Sequence, residues 1–196
     1  MELDCIIEIP VGSNQKFEID YSHNRMRLDR VLPTAMFYPG NYGYVPGTLC
    51  EDGDALDILM PVDYPIQPGT VVKCRFVGVM LMEDEEGKDE KIIVMPAAKV
   101  DARLAHIKNI GDIDTTTKAK IEHFFNHYKD LNPGKFVKTY GYKGVDEANK
   151  LYNESIERYN KSANNVRTHT THKSVSQLLK EKKTKKSKHV KKTKKH

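Results

Sequence analysis

The first hundred residues alternate between short apolar runs and turns rich in Gly and Pro. Cys5-Ile-Ile-Glu-Ile9 stops at Pro10, and Leu56-Asp-Ile-Leu-Met60 stops at Pro61. Lys16-Phe-Glu-Ile-Asp20 has the period-two pattern of a half-buried strand. Lys16, Glu18 and Asp20 share one face, Phe17 and Ile19 the other. Residues 26–31 supply a hairpin partner. Residues 71–81 predict a long strand bent at Gly78, and Lys91-Ile-Ile-Val-Met95 predicts the last strand, before Pro96. Short strands divided in this way predict a small barrel or a curled sheet.

Beyond residue 110 the period changes from two to that of a helix. Asp114 or Thr115 caps a predicted helix reaching about Lys129, with Ile121, Phe124, Phe125 and Tyr128 on its inner side. Asn132-Pro-Gly134 breaks the chain. A second helix is predicted from about Val145 to Lys161, with Leu151, Tyr152, Ile156 and Tyr159 as its apolar stripe. Both stripes read as core packing. No apolar run approaches the ~18 residues of a membrane helix, so no membrane insertion is expected.

Charge divides the chain in two. Of 196 residues, 32 are Lys or Arg and 27 Asp or Glu, a net +5. Residues 165–196 hold 12 of the basic residues and one acid, Glu181, which leaves residues 1–164 at −6. The expected organisation is an acidic domain over 1–164 and a Lys- and His-rich, disordered tail over 165–196. The tail has too few apolar groups to offset its ordering entropy. Its +11 suggests weak nonspecific binding to nucleic acid or another anionic surface, whereas the acidic body would repel one. The acidic start Met1-Glu-Leu-Asp4 lacks a signal-peptide layout. Cys5, Cys50 and Cys74 are odd in number and form no C-x-x-C. They predict buried, reduced thiols and a cytoplasmic protein.

The densest chemical signal is Glu51-Asp-Gly-Asp-Ala-Leu-Asp57. Asp52, Asp54 and Asp57 open onto a strand and suit a hard cation, Mg2+ or Mn2+, far better than zinc. A calcium EF-hand loop counted from Asp52 fails, because Leu56 and Asp57 stand where an oxygen ligand and Gly are required. An aspartyl-phosphate pair at Asp52 and Asp54 would follow a buried parallel strand, and Tyr44-Val-Pro-Gly-Thr48 is a poor one. His123 and His127 have the spacing of a zinc pair but lack the Glu after the first His, and read as packing or interface residues. A second acidic group, Glu83 to Lys91, reads as a charged hairpin loop. Lys16, Arg30, Lys91 and Lys129 sit at element ends, and Tyr38, Tyr42 and Tyr44 lie in Met36-Phe-Tyr-Pro-Gly-Asn-Tyr-Gly-Tyr44. Carboxylates, cations and phenols together fit a phosphate polyanion bridged by divalent metals.

In register from about Ile6 to Lys161, the chain resembles the soluble family I inorganic pyrophosphatases, especially the bacterial type. The resemblance rests on Ile7-Glu-Ile-Pro10, Lys16 to Asp20, Asp29-Arg30 leading to Tyr38-Pro-Gly-Asn-Tyr-Gly-Tyr44, Asp52-Gly-Asp-Ala-Leu-Asp57, Asp84 to Lys91, and His123-Phe-Phe-Asn-His-Tyr-Lys-Asp130. It implies an α+β, mainly β fold: a five-stranded OB-like β-barrel flanked by two α-helices. It also implies Mg2+-dependent hydrolysis of pyrophosphate to two orthophosphates by in-line attack of a metal-activated water, with no phosphoenzyme. By position, Glu8, Asp52, Asp57, Asp84 and Asp89 would hold several Mg2+ ions, with Mn2+ as substitute. Asp54 would be the general base. Lys16, Arg30, Tyr42, Lys91, Tyr128 and Lys129 would grip the two phosphoryl groups, supported by Glu18 and Tyr38. A homohexamer is implied as well. Ala55 departs from the Pro usual there in bacterial relatives and removes no ligand. The tail beyond about Asn165 has no counterpart in the pattern.

Overall fold

Five strands hydrogen-bond in a closed circuit. β1 (Glu2–Ile9) pairs with β4 (Asn41–Tyr44), β4 with β5 (Asp57–Met60), β5 with β8 (Lys91–Pro96), β8 with β6 (Val71–Asp84), and β6 with β1 again. All of these pairs are antiparallel except β5–β8. The barrel expected from the sequence takes the form of this five-strand ring. A computed structural model supplies the coordinates, and it describes residues 1–20, 23 and 25–162. The tail expected over 165–196 lies outside the described residues.

Met1–Ile156 form one compact unit. On the strands of the ring, Cys5, Ile7, Ile9, Ile58, Leu59, Val79, Ile92 and Ile93 are fully buried, on one face of the sheet or the other. β8 is buried at every position, as expected of a strand covered on both faces. β2 (Gln15–Asp20) and β3 (Arg25–Val31) form a separate hairpin, pairing Lys16 opposite Arg30. The expected bend in β6 occurs where its register against β8 shifts, between Phe76 and Gly78. Gly78 is required there: a Cβ would lie 2.8 Å from Ile110 Cβ and 2.7 Å from the Lys143 carbonyl. β7 (Gly87–Lys88) closes a short hairpin with the end of β6.

α1 (Thr115–His127) starts as expected, with the Asp114 carboxylate accepting the Thr117 N–H. It buries Ile121, Phe124 and Phe125 in the same apolar cluster as the ring. Residues 145–162 form α2, which buries Ala148 and Ser155. Tyr159, expected on its apolar stripe, is 44% exposed. Cys5 and Cys74 are buried, as expected, but Cys50 is half-buried.

Two strands escape the hydrophobic pattern. β4 has only four residues, and Gly43 interrupts its alternation. The Gly is imposed by close approach, since a Cβ there would lie 1.9 Å from the Ile6 carbonyl oxygen of β1. β9 (Val137–Lys143) pairs with β6 but is bulged near Gly141, whose φ of 75° suits Gly.

Asn41 ties the start of β4 to two loops. Fully buried, its Oδ1 accepts the N–H groups of Val11 and Ile66 at 3.1 and 2.9 Å, and its Nδ2 donates to the Tyr64 carbonyl at 3.0 Å. Asn41→Leu strands all three backbone groups. We expect a loss on the order of 3 kcal/mol in urea unfolding; a loss below ~0.5 kcal/mol would show that water replaces the amide.

Candidate active site

One cavity of about 240 Å3 gathers side chains from most elements of the fold. β2 contributes Lys16 and Glu18, ion-paired at 2.7 Å, and β3 contributes Arg30. Tyr38 and Tyr42 come from the segment leading into β4 and from β4 itself. Asp52 and Asp54 come from the loop after β4, and Asp57 from the first residue of β5. Asp84 ends β6, while Asp89 and Lys91 lie across the hairpin from it. Tyr128 is the C-cap of α1 and Lys129 follows it. Every site residue expected from the sequence lines this cavity except Glu8. Glu8 lies in an adjoining one, which shares Lys16, Glu18, Tyr42, Asp54 and Asp57 with the first.

Lys91 is the centre of the electrostatics. Its side chain is 2% exposed, and its Nζ donates to Asp57 Oδ2 at 2.6 Å and to Asp89 Oδ1. Burial opposes the charge, but Asp57 and Asp89 outweigh it and hold the ammonium above its ordinary pKa. The Nζ also lies 5.7 Å from the Tyr42 ring centroid. Tyr42 is pushed up, by burial and then by Asp57 and Asp89, so its phenol stays a hydrogen-bond donor. Tyr38 and Tyr128 are likewise raised by burial. These phenols are held by aromatic packing: Phe124 lies 4.8 Å from the Tyr38 ring and 5.2 Å from that of Tyr128. The aromatic stripe of α1 therefore serves the core and the site together.

The carboxylates are crowded. Burial pushes Glu8 up to about 7, with the Ile19 N–H bond opposing. Burial likewise pushes Asp89 up to about 6 against the pull of Lys91. Asp54 is raised by burial and then by Asp52 and Asp57. Among the described residues, no three His, Cys, Asp or Glu side chains converge as they stand on one metal position; Lys91 spans Asp57 and Asp89. The donor set nonetheless fits a hard divalent cation, because it is all carboxylate oxygen.

Glu85, Lys88 and Lys135 also line the cavity, and the sequence did not single them out. Glu85 accepts from Lys129 Nζ at 3.1 Å and from Lys135. Burial would raise it, but Lys135 and Lys129 bring it down to about 2. Lys129 also donates to Asp84 at 2.7 Å. Adjacency to Asp84 in an acidic hairpin was the available signal for Glu85; nothing local marked Lys135, fifty positions away. His123 and His127 line neither cavity. Their rings lie 4.8 Å apart on an exposed face, with His127 Nδ1 2.9 Å from Asp130, so they are not packing residues within the protomer.

A five-strand ring carrying a cavity of carboxylates, cations and phenols fits a protein that handles small phosphate anions. Residues 5–160 match the family model for inorganic pyrophosphatase. The chain is 48% identical over 163 residues to the inorganic pyrophosphatase of Xanthomonas axonopodis pv. citri, covering 83% of this chain and 92% of that one. It is 47% identical over 156 residues to that of Sulfolobus acidocaldarius, covering 80% and 90%. The structure of the Helicobacter pylori inorganic pyrophosphatase superposes with a TM-score of 0.79 at 45% identity, over 81% of this chain and 94% of that one. That from Thermus thermophilus gives 0.77 at 46%, over 81% and 91%. The chain belongs to the inorganic pyrophosphatase family, and is an inorganic diphosphatase by class. Residues 161–196 lie beyond the family match.

The raised carboxyls make stability depend on pH. Glu8 and Asp89 bind more protons folded than unfolded between about 4 and 7, so folding stability falls as pH rises through that window. Without divalent metal, the melting temperature should drop from pH 5 to 7.5, and Glu8→Gln should flatten the slope. An equal slope in the variant would remove Glu8 as its source.

Proposed function

We propose that this chain hydrolyses pyrophosphate to two orthophosphates with Mg2+ as cofactor, in the cytoplasm and as a homohexamer. The observation that carries the reading is the convergence of the carboxylates on the same cavity as Lys16, Arg30, Lys91 and Lys129. Pyrophosphate carries several negative charges, so the carboxylates alone would repel it. Glu8, Asp52, Asp57, Asp84 and Asp89 are the residues to hold Mg2+. When bound, several Mg2+ ions, or Mn2+ in their place, acidify water and neutralise phosphate charge.

The protein's own groups supply the rest. Lys16, Arg30 and Lys129 form charge-assisted hydrogen bonds to phosphoryl oxygens, and Tyr42 and Tyr128 donate phenolic O–H. Of the three N–H donors of Lys91, two serve Asp57 and Asp89, and the third reaches the anion. Glu18 orients Lys16 through their ion pair, and Tyr38 supports Tyr42, 5.4 Å away ring to ring. Asp54, raised by its burial and acidic neighbours, accepts a proton from water as that oxygen attacks one phosphorus in line. The bond from that phosphorus to the bridging oxygen breaks, and orthophosphate leaves with its charge met by Lys and Arg. We also propose that 1–164 is the catalytic domain. Segment 165–196 adds a weak, salt-sensitive affinity for nucleic acid or another anionic surface.

The test is phosphate release from pyrophosphate, ATP and a phosphomonoester, each with and without Mg2+. Release from pyrophosphate alone, and only with metal, is expected. Asp54→Asn should lower kcat by about 10²-fold or more, and unchanged turnover would remove Asp54 as the base. Deleting 165–196 should leave kcat intact and abolish RNA retention at low salt. Light scattering on the full chain should return six protomers.

A further inference from the structure

The loop between β4 and β5 carries Asp52 and Asp54 and delivers Asp57 to the start of β5. Its two ends are joined through a side chain that does not line the cavity. β4 and β5 pair Tyr44 with Asp57, so Val45 and Leu56 are next in register. Half of that pair forms directly, with the Val45 N–H donating to the Leu56 carbonyl at 2.9 Å. On the other half a hydroxyl intervenes. Thr48 Oγ1 accepts the Leu56 N–H at 2.8 Å and donates to the Val45 carbonyl at 2.6 Å. Thr48 is 4% exposed, so both of its bonds are shielded from water.

This wedge sets the width of the loop at its base. Above it, the Cys50 N–H donates to the Asp54 carbonyl at 2.7 Å, and the Asp54 N–H donates to Asp52 Oδ1 at 3.0 Å. Beside it, the Leu49 N–H donates to the Ser155 carbonyl of α2 at 3.1 Å. The residue before Asp57 is thus fixed by Thr48, and the backbone of Asp54 is fixed two residues further out. A β-branched side chain with few χ1 options holds the hydroxyl in place.

We propose that Thr48 is a positioning residue of the active site, its hydroxyl holding the acidic loop so that Asp54 and Asp57 reach their places in the cavity. This rests on the function proposed above. The phosphate-gripping residues come from β2, β3, β4, β8 and the end of α1, so Thr48 acts first on the carboxylates; Lys91, the gripping residue bonded to Asp57, keeps Asp89 as its second partner. Loss of the hydroxyl therefore lowers kcat and the affinity for metal and, at saturating Mg2+, leaves KM for pyrophosphate in place.

The test compares Thr48→Val, which keeps the volume and deletes the hydroxyl, with Thr48→Ser, which keeps the hydroxyl. Circular dichroism checks folding, and calorimetry measures Mg2+ affinity without substrate. For Thr48→Val we expect kcat and Mg2+ affinity each about tenfold lower, with KM, taken at saturating Mg2+, within about twofold of the parent. Thr48→Ser should restore both to within about twofold of the parent. Should Thr48→Val not fold, Thr48→Ala is read by the same criteria. Parental kcat and Mg2+ affinity in the hydroxyl-free variant, or equal losses in Thr48→Ser, would overturn the proposal. If the parent protein binds Mg2+ yet releases no phosphate from pyrophosphate, the functional reading fails, while Mg2+ affinity still decides the role of Thr48.

Discussion

One buried ammonium organises this protein. Lys91 lies between Asp57 and Asp89 because β5 and β8 run side by side in parallel, with Ile58 opposite Ile92. That register sets the residues just before these two isoleucines next to each other, an acid and a base. It is the one parallel joint in the ring. A parallel pair needs a crossover between its strands, and here the crossover is β6 with its β7 hairpin, the segment that brings Asp84, Glu85 and Asp89. The connection that makes the ring possible is thus the same one that supplies the second half of the carboxylates. A buried charge without partners would be costly; here Lys91 is paired on two sides and faces the Tyr42 ring.

Around this pair, core and site are not separate layers. Phe124 is buried in the apolar cluster and touches two phenols of the cavity, stacked on Tyr128 and tilted against Tyr38. Tyr38 is at once a core residue and a cavity wall. Acidity is concentrated where water is largely excluded, and burial, added to by neighbouring carboxylates, raises Glu8 and Asp89 well above ordinary carboxyls. Such a site costs stability in the metal-free protein, and the fully buried β8 and the closed ring help to offset that cost.

The sequence carried the elements whose order is local. β1, β2, β5, β6, β8 and α1 declare themselves through alternation, helical spacing or a cap. β4 and β9 do not, because each is interrupted by a glycine whose reason is distant: Gly43 makes room for the Ile6 carbonyl, and Gly141 sits at a bulge against β6. The site followed the same rule. Asp52, Asp54 and Asp57 lie within six residues, and that spacing made their sharing of one cavity legible. Glu85 takes its meaning from Lys129 and Lys135, and Thr48 from Val45 and Leu56, contacts that only the fold creates. Tyr159 shows the opposite error, an aromatic at the right spacing that remains outside the core.

The closed ring has a consequence for how the molecule behaves among its own copies. Each of its five strands has a neighbour on both sides, which leaves the ring without a free edge strand on which another chain could template. Outside the ring, among the described residues, β9 pairs with β6 alone and presents a row of unpaired N–H and C=O groups, as do β2 and β3, which pair only with each other. On β9 the row is blunted in two ways: Lys138 and Lys143 stand exposed along it, and the bulge near Gly141 twists its line of donors and acceptors. This open strand is thus a poor seed for fibril growth.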